Sequence, residues 1–204
     1  MDPIPETWPP APHQEVPLFA LPNVWLFPYV ILPLQVFEPR YVQMVEDLLD
    51  SAGRLVVGTV LEGHEDEMEG NPPVHDIAGL GEIGRHDHMD DGRYQILLLG
   101  LKRVRIRETE SDRLYRKVTI EPAEEIEPAP HIEAILRQEL HKAILERTNE
   151  PIALLPQIPL SHLADLLALR MELPHAVRNE LFSELDLERR ARRALEEHGK
   201  TGPS

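Results

Sequence analysis

The chain of 204 residues has no cysteine. Disulfides, thiolate nucleophiles and sulfur-built zinc sites are excluded together. The composition suits a reducing compartment, and the expected location is cytoplasmic. Lysine is almost as scarce, with Lys102, Lys117, Lys142 and Lys200 making up the whole set. Serine occurs only at Ser51, Ser111, Ser161, Ser183 and Ser204, none in a context that marks an activated nucleophile. No window of about 18 uninterrupted apolar residues exists to span a bilayer. The most apolar stretch, Val16 to Phe37, is cut by Pro17, Pro22, Pro28 and Pro33, which also forbid a helix there. The opening MDPIPETWPPAPHQE is acidic and proline-rich, unlike a signal or transit peptide.

Cationic charge is also in short supply. The net charge is −15, which repels phosphate backbones and anionic lipid heads. The most basic stretch, Arg85 to Lys117, holds nine Lys or Arg against six Asp or Glu. That small, alternating excess fits the solvated faces of strands. The catalytic signatures are missing as well. There is no Walker-type phosphate loop, no G-x-S-x-G elbow and no H-E-x-x-H helix. Gly79-Leu-Gly81-Glu-Ile-Gly84 has the spacing of a dinucleotide fingerprint, but it lies in a β segment with no helix behind it. His86-Asp87-His88 offers metal-ligand residue types, yet a polar hairpin tip explains them without a metal. The acidic run Glu62 to Glu69 lacks the spacing of a calcium loop. The chain is expected to be no enzyme, with no cofactor, no metal and no catalytic residue.

What the sequence does contain is organised in two halves. Residues 1–14 hold five prolines and are expected to form a flexible tail. Val16–Leu21 and Val30–Phe37 read as strands, and Pro17 places the first at a sheet edge or a strand start. Tyr41, Met44, Val45, Leu48 and Leu49 fall on one helical face, with Pro39 in the first turn and Gly53 at the C-terminal cap. Further strands are expected over Arg54–Leu61, Ile77–His86, Arg93–Leu99, Leu101–Arg107 and Tyr115–Glu121, with a hairpin at Asp91-Gly92. The glycines inside the Ile77–His86 strand suggest bulges or barrel bends. Glu121 to Pro130 is acidic and proline-rich, so residues 123–130 are expected to be a linker. The remainder is helical: Ile132–Ile144, Leu163–Leu173 capped by Ser161, a third helix opened by Pro174, and Leu187–His198 opened by Asp186. The organisation expected is a β-rich domain with one helix over 15–122, a helical bundle over 131–198 and a flexible end over 199–204.

One segment is distinctive. Leu18, Phe19, Leu21, Pro22, Asn23, Val24, Leu26, Phe27, Pro28, Leu32, Pro33, Leu34, Phe37, Glu38, Pro39, Arg40 and Tyr41 form a long pattern that resembles the opening of the Lon protease N-terminal substrate-binding domain. Gly79 to Arg85, Asp91-Gly92-Arg93-Tyr94 and Gly100 to Ile106 resemble its middle. The similarity runs strongly over about 16–122 and more weakly to Arg190. In that family Gly often stands where this chain has Tyr29, and His where it has Gln35. The resemblance implies an α+β fold, a PUA-like β-pseudobarrel followed by a C-terminal helical bundle, here free-standing without ATPase or peptidase domains.

It also implies a non-catalytic module that binds unfolded or tagged polypeptides; a free-standing copy is expected to act either as an adaptor that delivers clients to a separate ATP-dependent protease or as a holdase. Trp25, Leu26, Phe27 and Tyr29 are the candidate peptide contacts, although side chains such as Leu26 and Phe27 are more often core than contact. Phe37, Glu38, Pro39, Arg40 and Tyr41 are the candidate structural motif, with Phe37 expected in the core. An exposed sheet edge could accept an added client strand. Two alternatives stay open at this point: an RNA-binding PUA-like module, and a small-molecule or metal-dependent enzyme.

Overall fold

The computed structural model describes residues 15–148 and 157–202. The proline-rich segment 1–14 and the last two residues lie outside the described residues. The elements are β1 (Glu15–Leu21), β2 (Ile31–Val36), α1 (Pro39–Leu49), β3 (Arg54–Thr59), β4 (Ile77–His88), β5 (Tyr94–Thr109), β6 (Arg116–Pro122), α2 (Pro130–Glu146), α3 (Leu160–Leu169), α4 (His175–Ser183) and α5 (Leu187–Thr201). The chain divides between Ala123 and Glu124 into two compact units, and the class is α+β.

The first unit is built on one six-stranded sheet in the order β2-β5-β4-β3-β1-β6, closed by a further pairing of β5 with β6. Closure is possible because β5 is 16 residues long. Its first part, Tyr94 to Leu99, pairs with β2, and its last part, Val104 to Thr109, pairs with β6. β1 and β3 run parallel, the connection between them carrying β2 and α1, as a parallel pair requires a long crossover. Pro17 lies in the part of β1 that faces β6 alone, before the β3 pairing begins at Leu18. Register shifts occur between Leu80 and Gly81 and between Ile83 and Arg85, leaving Leu101 and Gly84 as the extra residues. These bulges bend the sheet towards closure.

Alternation along the strands separates two apolar clusters. Val16, Leu18, Val56, Leu80, Val104, Ile106, Val118 and Ile120 come from all five strands of the closed ring and fill its interior. Phe19, Leu55, Val57, Ile96 and Leu98 pack with Tyr41, Met44, Val45 and Leu48 of α1. Pro39 starts α1 at the position where a missing N–H matters least. Gly53 is not the helix cap: α1 ends at Leu49 with Asp50 at the C-cap, and Gly53 opens β3 with φ +65°.

Between β1 and β2 the chain crosses β4 and β5 at close range. A Cβ at Gly100 would lie 2.0 Å from the Phe27 carbonyl oxygen, and one at Gly79 would lie 2.3 Å from that of Leu26. The Tyr29 N–H donates to Gly100 O at 2.8 Å, and the Gly100 N–H donates to Val30 O at 2.8 Å. Two of the strand glycines therefore serve backbone approach rather than bending.

The second unit packs α2, α3 and α5 around Leu136, Leu140, Ile144, Leu163, Leu167 and Ala191. Three expectations need correction here. The stretch expected as a linker is tied to this unit: Ile126 bridges Asp186, and Glu125 reaches Arg190 Nη2 at 2.6 Å. α3 starts at Leu160 with Pro159 at its cap, not Ser161, because the fixed φ of proline suits helix entry. α5 runs on to Thr201, so residues 199–201 are helical rather than a loose end. Its cap is side-chain mediated, with the Arg189 N–H donating to Asp186 Oδ1 at 3.1 Å.

Arg190 is buried at the centre of this unit. Its guanidinium also donates to Glu184 O at 2.8 Å and lies 3.4 Å from the equally buried Asp165. Such a charge persists without water only because several acceptors surround it.

Candidate functional site

A groove of about 390 Å³ lies on the outer face of β2, β5 and β4, lined by Pro33, Leu34, Gln35, Arg85, Asp87, Gln95, Ile96 and Leu97. The register explains its make-up. Pro33 pairs with Leu97, which pairs with Arg85; Gln35 pairs with Gln95, which pairs with Asp87. Ile31 and Leu99 form the next row. Residues 32, 34 and 36 turn inward with Tyr94, Ile96 and Leu98, so residues 31, 33 and 35 share the outer face, and Phe37 follows just past the strand end. Ile31 is 62% exposed, Leu97 38% and Phe37 65%. An apolar strip this exposed on a sheet face is unusual for a surface that meets only water.

β2 is the one strand of the sheet paired on a single side. Its outward backbone groups come from Ile31, Pro33 and Gln35, and Pro33 has no N–H to offer. A strand laid along this edge would lose a central hydrogen bond. An added strand would therefore find one donor fewer on this edge, while the side chains of the face offer a second mode of contact.

The sequence-derived contacts separate into two groups. Leu26 and Phe27 are each 1% exposed and form part of the packing under β4 and β5, so neither can line an accessible surface. Phe27 also meets the buried Arg103 guanidinium, 5.5 Å from its ring centroid. Burial is the reason for this correction: the glycines at 79, 81 and 100 open the space that these two side chains and their backbone fill. Trp25 is half-buried, and Tyr29 is 50% exposed. Tyr29 adopts φ +64°, a left-handed backbone that a bulky side chain adopts only under constraint. It lies two positions before the start of β2. Ile31, Leu97 and Arg85 were not singled out in the sequence as site residues; Pro33 was read as part of the family pattern and Asp87 as a metal-ligand type. The alternation of Ile31, Pro33 and Gln35 carries the signal, but the unbroken run Ile96-Leu97-Leu98-Leu99 hides which leucines point outward.

The Phe37–Tyr41 motif is structural except at its first residue. Phe37 is exposed rather than in the core, because Val36 is the last inward position of β2. Arg40 Nε donates to Glu38 Oε2 at 3.0 Å, and its other nitrogens donate to the carbonyls of Gly70 and Met68. The pair thus pins the loop between β3 and β4. Tyr41 donates to Ala20 O at 3.2 Å and packs on Phe19 with ring centroids 4.2 Å apart. Burial raises the Tyr41 phenol above its ordinary range, partly offset by Arg40.

At the hairpin joining β4 and β5, His88 stacks on Tyr94 with centroids 4.5 Å apart. Among the described residues no group of three or more His, Asp or Glu side chains is placed to hold a metal ion. Among the same residues no helix is long and apolar enough to cross a membrane.

Residues 15–197 match the family described as the ATP-dependent protease La (LON) substrate-binding domain. The chain belongs to this family. Its curated relatives include Lon protease 2 of Sorangium cellulosum, 30% identical over 74% of this chain and 18% of that protein. Lon protease 2 of Myxococcus xanthus is 24% identical over 90% of this chain and 23% of that protein. The chain thus spans less than a quarter of the length of these relatives. Two solved structures share the fold. The N-terminal domain of the Mycobacterium avium complex Lon protease superposes with a TM-score of 0.68 at 15% identity, covering 91% of this chain and 98% of that one. The Lon N-terminal domain protein of Xanthomonas campestris does so with a TM-score of 0.65 at 24% identity, covering 90% and 98%. The expected pseudobarrel with a helical C-terminal half is the Lon N-terminal architecture.

Proposed function

We propose that this chain binds polypeptide segments on the outer face of β2, β5 and β4, holding clients for proteolysis rather than cleaving them. Membership of a substrate-binding family supports a substrate-binding role. The observation that carries the location is the groove of about 390 Å³ lined by the exposed Pro33 and Leu97, with the exposed Ile31 in the next row of the same sheet face. Solvent leaves such a surface when an apolar segment covers it, and that release drives association. In this reading the chain acts as an adaptor in protein quality control, passing unfolded or tagged chains to a separate ATP-dependent protease in the cytoplasm.

The test uses a carboxymethylated, permanently unfolded protein as probe and measures its binding to the full chain by fluorescence anisotropy. Leu97→Asp should weaken binding about tenfold, as loss of a central apolar contact does, while leaving the thermal melt in place. Undiminished binding would overturn the location. Failure of the unsubstituted chain to bind at all would overturn the function.

A further inference from the structure

Two of the six glutamines in the chain face each other in the lining of the groove. Gln35 of β2 is the register partner of Gln95 of β5. Both residues are exposed, and among the described residues neither side-chain amide has a hydrogen-bond partner. The wall beside them is different. Arg85 and Asp87 of β4 neutralise each other, with Arg85 Nη2 3.1 Å from Asp87 Oδ2. Among the described residues that line the groove, no charge is left unpaired. The lining side chains that can both donate and accept are the two amides. Each offers two N–H donors and a carbonyl acceptor. A peptide group needs those same functions in reverse, a donor for its C=O and an acceptor for its N–H. The apolar floor lies close by. Pro33 and Leu97 pair with each other two residues along the strands from the amide pair, a step of roughly 7 Å at the rise of a strand. An extended ligand advances by the same distance in two residues.

We infer that Gln35 and Gln95 hold the main chain of an extended client, two residues away from an apolar side chain seated on Pro33 and Leu97. This rests on the proposed peptide-binding reading and adds the substrate class to it: segments whose peptide groups are not already paired within a helix or a sheet. The amide NH2 donates to a client carbonyl, and the amide oxygen accepts from a client N–H. The β2 edge cannot supply the donor at Pro33, which has no N–H. A folded chain keeps its peptide groups engaged internally and offers these amides little. Every residue carries the same main-chain groups, so the contact is indifferent to client sequence beyond the apolar anchor.

The experiment uses an uncharged synthetic peptide with one Phe among Ser and Thr, and a series in which one peptide bond at a time is replaced by an ester. An ester removes the N–H donor at almost constant shape. Each peptide is titrated by fluorescence anisotropy against the full chain and against the double variant Gln35→Met, Gln95→Met, with the two single variants as a repeat of the comparison. Methionine keeps the length of the side chain without its amide, and both positions are exposed, so the thermal melts should coincide. With the parent chain, an ester two residues from the Phe should weaken binding about fivefold, and one at the peptide's end should have little effect. With the double variant the positions should become equivalent, since the coupling is lost with the amides. Ester losses of the same size in the double variant, or none in the parent chain, would overturn the inference; the groove reading would stand if Leu97→Asp still abolished binding. Failure of the all-amide peptide to bind, or binding unchanged in Leu97→Asp, would overturn the groove reading and this inference with it.

Discussion

Tyr29 holds a left-handed backbone, φ +64°, where a glycine would rest without strain. A non-glycine residue in that region costs on the order of 1 kcal/mol, and half of this side chain faces water. Removing it separates stability from binding. Tyr29→Gly should leave the unfolding free energy unchanged or raise it by up to about 1 kcal/mol, while weakening the unfolded-protein probe severalfold. A variant that loses stability and binds as before would assign Tyr29 to packing. Tyr115 makes the opposite case. Its hydroxyl donates to Asp47 Oδ2 at 3.0 Å, and burial together with that carboxylate pushes its pKa up to about 12. A phenol whose folded pKa exceeds the unfolded value of 10.0 contributes stability in full below pH 10, lost as pH rises towards 12. Urea midpoints measured across that interval should fall for the parent chain and fall less for Tyr115→Phe.

At the scale of elements, the crossing of the 24–30 segment over β4 and β5 depends on the absence of a side chain at Gly100. Gly100→Ala would set a methyl group 2.0 Å from the Phe27 carbonyl oxygen, a backbone atom that cannot swing aside as a flexible side chain would. The segment must then lift, exposing Leu26 and Phe27, and chemical denaturation should register a loss of about 3 kcal/mol or more. An effect below about 1 kcal/mol would mean that the segment is held elsewhere. This crossing also marks where the sequence stopped being legible. The strands were readable from β-branched runs and the hairpin from Asp91-Gly92, because those signals are local. α1 was readable from the spacing of Tyr41, Met44, Val45 and Leu48. Leu26 and Phe27 sit between prolines with no period of two or 3.6, so nothing local distinguishes a buried crossing from an exposed apolar loop. The distinguishing information lies in glycines more than 50 residues away, at 79 and 100. Phe37 failed for a neighbouring reason: it continues an apolar run by composition, but the alternation of β2 turns it outward. Ser161 lost the helix start to Pro159 because ring geometry can open a helix as well as a capping hydroxyl does.

For the whole molecule, a net charge of −15 spread over a chain this small makes the folded state repel itself. The many surface ion pairs relieve that locally, each by well under about 1 kcal/mol. Moderate salt should therefore raise the melting temperature, and a scanning calorimetry series in NaCl would show it; a fall would mean that the pairs outweigh the net repulsion. The same acidity opposes association between copies of the chain. Charge alone, though, is a weak guard for a protein whose proposed work is to gather unfolded chains, since each captured chain is a template for fibril growth. The imino ring at Pro33 supplies the second guard, interrupting the one strand border from which a cross-β stack could nucleate. On this view Pro33→Val would leave the fold intact yet convert the protein, in the presence of its clients, into a seed for their aggregation.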